Sequence, residues 1–185
     1  MEGIALILIG TAIFSHSWHL LGLYADARTV GVIMASLALA LLVSMFTFQP
    51  QFLGSVSSGA IVRAGETTVL SALIITWAVY AAAVAANCLW DMEDRAIGFY
   101  SVLLAVASLV MLFFFLQIWA LDNDAVAVLL LAIASALLAI VSGLLFFTLA
   151  FQFPVMRLVS GWALLIQSIV VVGFGMTMIT TTITA

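Results

Sequence analysis

Charged residues divide the chain into long uncharged stretches, over residues 3–25, 29–62, 67–90, 96–121, 125–156 and 158–185. A helix needs about 20 mostly apolar residues to cross roughly 30 Å of hydrocarbon, so each stretch is long enough for one span. The second stretch is longer than a span needs. Its tail over residues 49–65 contains Pro50, Gly54 and Gly59, which are typical of a loop. The pattern therefore predicts six transmembrane helices, near residues 4–24, 29–48, 67–90, 96–121, 125–152 and 156–180.

The composition excludes a water-soluble fold. Of the 185 residues, 67% are hydrophobic and only 6% are charged, whereas about 25% of the residues in a soluble domain are charged. Four arginines, no lysine and a net charge of -4 exclude a nucleic-acid binder and a polybasic lipid-binding surface. We predict an all-α membrane protein whose residues 1–185 form one integral domain, a single helical bundle in the lipid bilayer.

The arginines predict the orientation of the six spans. Arg28, Arg95 and Arg157 lie at the odd-numbered connections, and only Arg63 lies in an even-numbered one. Short cytoplasmic loops carry the excess of basic residues, so the odd connections are expected in the cytoplasm and both termini outside the cytoplasmic (inner) membrane. The chain begins Met-Glu-Gly, and its first apolar run exceeds that of a signal peptide, which predicts a retained first helix.

The predicted spans lack the chemistry of a pump or an enzyme. Acidic and basic residues are confined to the ends of the spans, whereas ion-coupled transporters place ionisable groups at membrane depth. Gly-rich phosphate loops, Cys/His metal clusters and nucleophile motifs are not found in the sequence. We therefore expect no enzymatic activity, no cofactor and no metal, which leaves passive movement of a neutral solute or a structural role.

Polar residues recur at helical spacing on several predicted helices. The first helix carries Thr11, Ser15, Trp18 and His19 on one face with His16 at its edge, and the third carries Thr76, Tyr80 and Asn87. Small-residue stripes on the fourth helix (Ser101, Ala105, Ser108) and the fifth (Ser135, Ala139, Ser142) indicate close helix packing. The larger polar groups of the third helix are equally compatible with packing and with the lining of a polar path.

His16 and His19 leave three interpretations open. Two imidazoles at i and i+3 can contact one metal ion, but no carboxylate, cysteine or third histidine is expected within reach. Hydrogen bonding to neighbouring serine or backbone groups is the second interpretation. A place at a pore mouth is the third.

Three segments resemble the urea channel and short-chain amide transporter family. Residues 85–91 (Ala-Ala-Asn-Cys-Leu-Trp-Asp) and 98–101 (Gly-Phe-Tyr-Ser) are similar to the end of the third and the start of the fourth helix in that family. Residues 162–167 (Trp-Ala-Leu-Leu-Ile-Gln) are similar to its last helix. The resemblance implies a six-helix protomer with its own pore, arranged with identical copies in a ring of usually six. It also implies passive passage of urea or amides such as acetamide.

The resemblance also implies which side chains line the pore. Ile9 and Ile13 would form an aliphatic constriction, and Trp77 would match an aromatic residue of the third helix. Tyr80 lies one position from the expected pore tyrosine, where this chain has Ala81, and Gln167 would stand where members carry a glutamate. The polar stripe and the sixth helix add further candidates. The predicted pore lining is Ile9, Ile13, Thr76, Trp77, Tyr80, Asn87, Trp162 and Gln167, with His16 and His19 as alternatives at the pore mouth.

The sequence also departs from the family pattern on the fifth helix and in the external loops. The family's fifth helix contributes pore tryptophans, whereas residues 137–149 contain none and have Phe146 and Phe147 instead. Acid-gated members carry histidines in external loops, and the two predicted external loops here have none. We therefore expect a pore that is either wider or rearranged for a different amide, and that is not gated by acid in that way.

The sequence thus favours a passive channel for urea or short aliphatic amides. One alternative is a non-transporting accessory subunit of a larger membrane complex, which the apolar helix faces and the run of Phe113, Phe114 and Phe115 would suit. A second alternative is an intramembrane redox or lipid-modifying enzyme that uses His16 and His19.

Overall fold

The computed structural model describes residues 2–23, 26–48, 60–121, 126–151 and 153–184. These residues form six α-helices and, within those ranges, no strand. Each helix contains a stretch long and apolar enough to cross a membrane. The prediction of an all-helical, multi-pass membrane protein with six spans is therefore confirmed. The helices are α1 (Glu2–Leu21), α2 (Ala27–Phe48), α3 (Ala60–Trp90), α4 (Asp94–Leu121), α5 (Val126–Ala150) and α6 (Pro154–Thr184).

Helix α3 is longer than the sequence pattern predicts. It begins at Ala60 instead of near residue 67, so residues 60–65, which were expected in a loop, are helical. The rest of that expected loop, residues 49–59, lies outside the described residues. Charged residues such as Arg63 and Glu66 end an apolar span, but arginine and glutamate favour helical backbone. The charge pattern therefore marks the limit of the span and not the limit of the helix.

Local backbone conformation and hydrogen bonding set the ends of α1 and α3 and the start of α6. Gly22 has a φ of 66°, and its N–H donates to the carbonyl of His19 while the N–H of Leu23 donates to that of Trp18. This pair of hydrogen bonds is a Schellman motif, which stops α1 and satisfies two of its last carbonyls. Asp91 follows α3 with a φ of 52°. Pro154 is the first residue of α6, where its missing N–H costs nothing.

The helices contact one another in chain order, and α6 returns to α1 to close the bundle. The most extensive contacts are between α4 and α5, α1 and α6, and α2 and α3, with α1 also touching α3. The spans of α1, α3 and α5 are the most buried of the six. Side chains on these three helices therefore form much of the interior, while broad apolar faces of α2, α4 and α6 point outward.

Helices α1 and α6 approach closely at paired glycines. A Cβ on Gly175 would lie 2.6 Å from the carbonyl oxygen of Gly3, so neither position has room for a side chain. Gly10 lies against Val172, and Gly161 lies against Leu21. The start of α1 therefore meets the end of α6, and the two helices run antiparallel.

The small-residue stripes of α4 and α5 lie in the interior. Ser101 and Ser108 on α4 and Ser135 and Ser142 on α5 are all buried. The hydroxyl of Ser101 donates to the carbonyl of Gly98, and that of Ser142 donates to the carbonyl of Leu138. The hydroxyls of Ser101 and Ser142 are therefore occupied within their own helices, whereas the buried hydroxyl of Ser108 has no partner among the described residues. Small buried residues of this kind let two helices pack closely.

Candidate functional site

A cavity of about 340 Å³ opens among the helix ends on one side of the bundle. This side carries the α1–α2, α3–α4 and α5–α6 connections, and we call it the cavity end. Five of the six helices contribute to the cavity wall, and polar groups alternate there with apolar ones. The lining residues are His16, His19, Leu20, Val84, Asn87, Cys88, Asp94, Ile97, Thr148, Leu149, Phe153 and Arg157.

Asn87 and Asp94 form one wall of the cavity. Asn87 lies in the last turn of α3, and its Nδ2 donates a hydrogen bond to Oδ1 of Asp94 in the first turn of α4. This bond fixes the orientation of the amide, since only its nitrogen can donate to a carboxylate. The amide oxygen of Asn87 is buried and has no hydrogen-bond partner.

The opposite wall is built from the start of α6 and the end of α5. Nε of Arg157 donates to the carbonyl oxygen of Leu20 at 3.1 Å, and that carbonyl is one of the last of α1, which lack partners within the helix. Thr148 and Ser160, both buried, share a hydrogen bond between their hydroxyls. These contacts join the helix ends around the cavity.

His16 lines the cavity and contacts helix α3. Its side chain is almost fully buried, and its Nδ1 lies 2.9 Å from the hydroxyl oxygen of Tyr80 on α3. The two rings are nearly parallel, with an angle of 12° between their planes. Trp77 packs edge-on against Tyr80, with ring centroids 5.4 Å apart. A chain of aromatic contacts thus extends from the cavity lining at His16 through Tyr80 to Trp77.

Five of the predicted site residues line the cavity or are linked to it by contacts between side chains. His16, His19 and Asn87 line the cavity. Tyr80 bonds to His16, and Trp77 lies one contact deeper. Gln167 is buried on α6, and the contact of Gly10 with Ser168 and of Leu21 with Gly161 places it beside the second half of α1.

The other predicted residues lie elsewhere. Ile9 and Ile13 are completely buried in the apolar core. The hydroxyl of Thr76 donates to the carbonyls of Ala72 and Leu73 in its own helix. Trp162 lies on the outer face of α6, with 52% of its surface exposed.

Asp94, Thr148 and Arg157 are cavity residues that the sequence did not single out. Charges at the ends of predicted spans were used only to find the limits and the orientation of the spans. The spacing of seven residues between Asn87 and Asp94 was the available signal, because a tight turn between two helices brings such residues together.

The described parts of the chain contain no group of three or more His, Cys, Asp or Glu side chains placed to hold a metal ion. His16 and His19 have ring centroids 6.3 Å apart and meet edge to face. Cys88 and Asp94 also line the cavity, but they do not join the two histidines in such a group. The cavity therefore offers hydrogen-bonding groups from several helices.

The fold and the site define a class: a six-span helical membrane protein with a polar cavity at one end. No protein-family model, curated protein or solved structure matches the chain. The resemblance to urea and amide channels therefore remains a prediction made from the sequence.

Proposed function

We propose that this protein is a passive channel for urea or short aliphatic amides such as acetamide in the cytoplasmic (inner) membrane. The observation that carries this proposal is the cavity, where polar side chains from five helices meet in an otherwise apolar bundle. A water molecule occupies about 30 Å³ in the liquid, so the cavity has room for a small solute and some of its water.

The energetics favour a neutral solute that forms hydrogen bonds. Transfer of an amide from water to hydrocarbon without compensating hydrogen bonds costs roughly 4–8 kcal/mol, so the lipid is a poor route. Side-chain amides, hydroxyls and imidazoles can replace the lost water bonds inside a protein. An ion has a much larger desolvation penalty, and the charges that line the cavity lie only at its end of the bundle.

Two unpaired donors support a path deeper into the bundle. Nε1 of Trp77 and Nε2 of Gln167 are buried and have no hydrogen-bond partner. An unsatisfied buried group costs roughly 1–3 kcal/mol. Both donors are suited to the carbonyl oxygen of an amide or to water, so a solute that passes between α1, α3 and α6 would satisfy them in turn.

We propose that the cavity end faces the cytoplasm. Arg28, Arg95 and Arg157 lie at or beside the connections of this end, and basic residues are enriched in short cytoplasmic loops. Both termini would then lie outside the cell. The outward apolar faces, which include Trp162 and Phe113, would contact lipid or identical protomers in a ring, six of them by the resemblance.

Solute flux tests the proposal directly. The full chain is reconstituted in liposomes, and stopped-flow light scattering follows gradients of urea, acetamide and glycerol at neutral and mildly acidic pH. We expect urea or acetamide flux well above that of empty liposomes, with little effect of pH. An absence of flux at both pH values would refute the channel and favour the accessory subunit, for which co-purifying partners are then sought.

A further inference from the structure

The Tyr80 hydroxyl determines which nitrogen of His16 carries the proton. Tyr80 is 1% exposed, and Nδ1 of His16 is the only hydrogen-bond partner that its hydroxyl has in the described structure. If Nδ1 carried the proton and donated to Tyr80, the buried hydroxyl hydrogen would have no acceptor. If the hydroxyl donates to Nδ1, the buried hydroxyl and Nδ1 are both satisfied, and the donor left over is Nε2–H of a ring that lines the cavity.

The second arrangement leaves the proton of a neutral His16 ring on Nε2. His16 lines the cavity, and Tyr80 is its one hydrogen-bond partner among the described residues. Nε2–H is therefore a donor that remains available to a molecule in the cavity. Tyr80 holds this donor in place from below, through the hydrogen bond and the nearly parallel rings.

Asn87 offers the complementary group in the same cavity. Its Nδ2 is engaged by Asp94, and its Oδ1 has no partner. A carbonyl oxygen accepts and cannot donate, so this atom can take a hydrogen bond only from an N–H or O–H group. His16 on α1 and Asn87 on α3, which line the same cavity, thus carry one oriented donor and one oriented, buried acceptor.

We propose that His16 and Asn87 form a two-point binding site for a primary amide group. Nε2–H of His16 donates to the carbonyl oxygen of the solute, and Oδ1 of Asn87 accepts from its amino group. Tyr80 and Asp94 are positioning residues. Tyr80 bonds to Nδ1 of His16 and Asp94 bonds to Nδ2 of Asn87, so that the other polar atom of each side chain is left for the solute. The identity of the solute class rests on the proposed channel function, whereas the orientation of the two side chains does not.

Nitrogen NMR of the histidines tests the site without any measurement of transport. The chain has two histidines, so the full-length protein with ¹⁵N-labelled histidine gives two ring systems, which the His19→Gln variant assigns. We expect the Nε2–H tautomer for His16. Acetamide is expected to shift the His16 Nε2 resonance, and acetone, which has a similar shape and a carbonyl but no N–H, to shift it less. An Nδ1–H tautomer, or no shift with acetamide, would overturn the site.

Substitutions distinguish a positioning role of Tyr80 and Asn87 from a purely structural one. Tyr80→Phe keeps the ring and removes only the hydroxyl, so His16 should lose its single tautomer. Its affinity for acetamide should fall about fivefold to tenfold, the factor that one hydrogen bond contributes. Asn87→Leu should make acetamide and acetone bind equally. Ser15→Ala is the matched control on the same helix, because Ser15 lies outside the cavity lining and its hydroxyl bonds to the carbonyl of Thr11, and it should leave both properties unchanged. Unaltered acetamide binding in Tyr80→Phe and in Asn87→Leu would contradict the proposal.

The two proposals can fail separately. If acetamide shifts the His16 resonance but the protein gives no amide flux, the channel is refuted and the binding site is retained. If the protein gives amide flux but acetamide does not shift the His16 resonance, the binding site is refuted and the channel is retained.

Discussion

Nδ2 of Asn87 donates a hydrogen bond to the carboxylate of Asp94 and so joins the last turn of α3 to the first turn of α4. The bond makes the amide of Asn87 directional, since its nitrogen is engaged and its oxygen is left without a partner. The hydrogen bond that connects the two helices thus also orients a buried acceptor on a residue that lines the cavity.

Replacement of Asn87 is expected to slow amide passage. Asn87→Leu removes the acceptor and the bond to Asp94, so we expect urea and acetamide permeability to fall about tenfold, which corresponds to about 1.4 kcal/mol. Stopped-flow light scattering of proteoliposomes measures the change. Gln117→Leu is the matched control, because Gln117 is an exposed amide on α4 outside the cavity lining. Equal permeability in the Asn87 variant and the wild type would remove Asn87 from the path.

Replacement of Gln167 is expected to separate function from stability. Its Nε2 is buried without a partner, and an apolar group of similar shape can replace such an atom at little cost or with a gain in stability. Gln167→Leu should therefore keep or raise the Tm in detergent while it lowers amide flux. Thermal unfolding and flux are measured on the same preparation. A lower Tm with normal flux would assign Gln167 to packing.

Cys88 provides a natural probe for the orientation. It is the single cysteine of the chain and lines the cavity. If the cavity end faces the cytoplasm, a membrane-impermeant thiosulfonate should label Cys88 in inside-out vesicles and not in right-side-out vesicles. Cys88→Ala gives the background, and mass spectrometry counts the adduct. Labelling only from the outside would reverse the proposed orientation.

A single methyl group at Gly98 is expected to destabilise the α4–α5 interface. A Cβ at Gly98 would lie 2.5 Å from the backbone nitrogen of Ala150, whereas a Cβ at Gly143 meets no atom within 4 Å. Gly98→Ala should lower the free energy of unfolding by about 1–3 kcal/mol because the backbones must separate. Gly143→Ala, the matched control, should be neutral or slightly stabilising. Equal Tm values for the two variants would show that α4 and α5 can separate slightly at no cost in stability.

The six spans could be predicted from the sequence because the hydrocarbon core constrains each segment of the chain separately. Each backbone polar group must be bonded within its own segment, so a stretch of about 20 apolar residues is sufficient evidence for a helix. The same rule failed at the start of α3, where residues 60–65 continue the helix beyond the apolar stretch. Helical backbone does not end where hydrophobicity ends, and the sequence there contains no strong stop signal.

The candidate site was only partly predictable from the sequence. Spacing on one helix placed Tyr80 and Asn87 together, and both are near the cavity because they share a face of α3. Trp162 was selected by its position near mid-span, but the rotation of α6 about its axis, which its contacts with α1 decide, turns it outward. Asp94 and Arg157 were missed because a charge next to a span has the same sequence pattern whether it faces solvent or a cavity.

The sequence by itself determined that this protein is a bundle of six membrane-spanning helices, because length and hydrophobicity are properties of each segment alone. The tertiary structure decided that α6 closes the bundle against α1 and that His16 meets Tyr80 across 64 positions of the chain. It also decided that polar groups from five helices converge at one end. Contacts of this kind depend on the rotation and depth of each helix, which packing against neighbours sets.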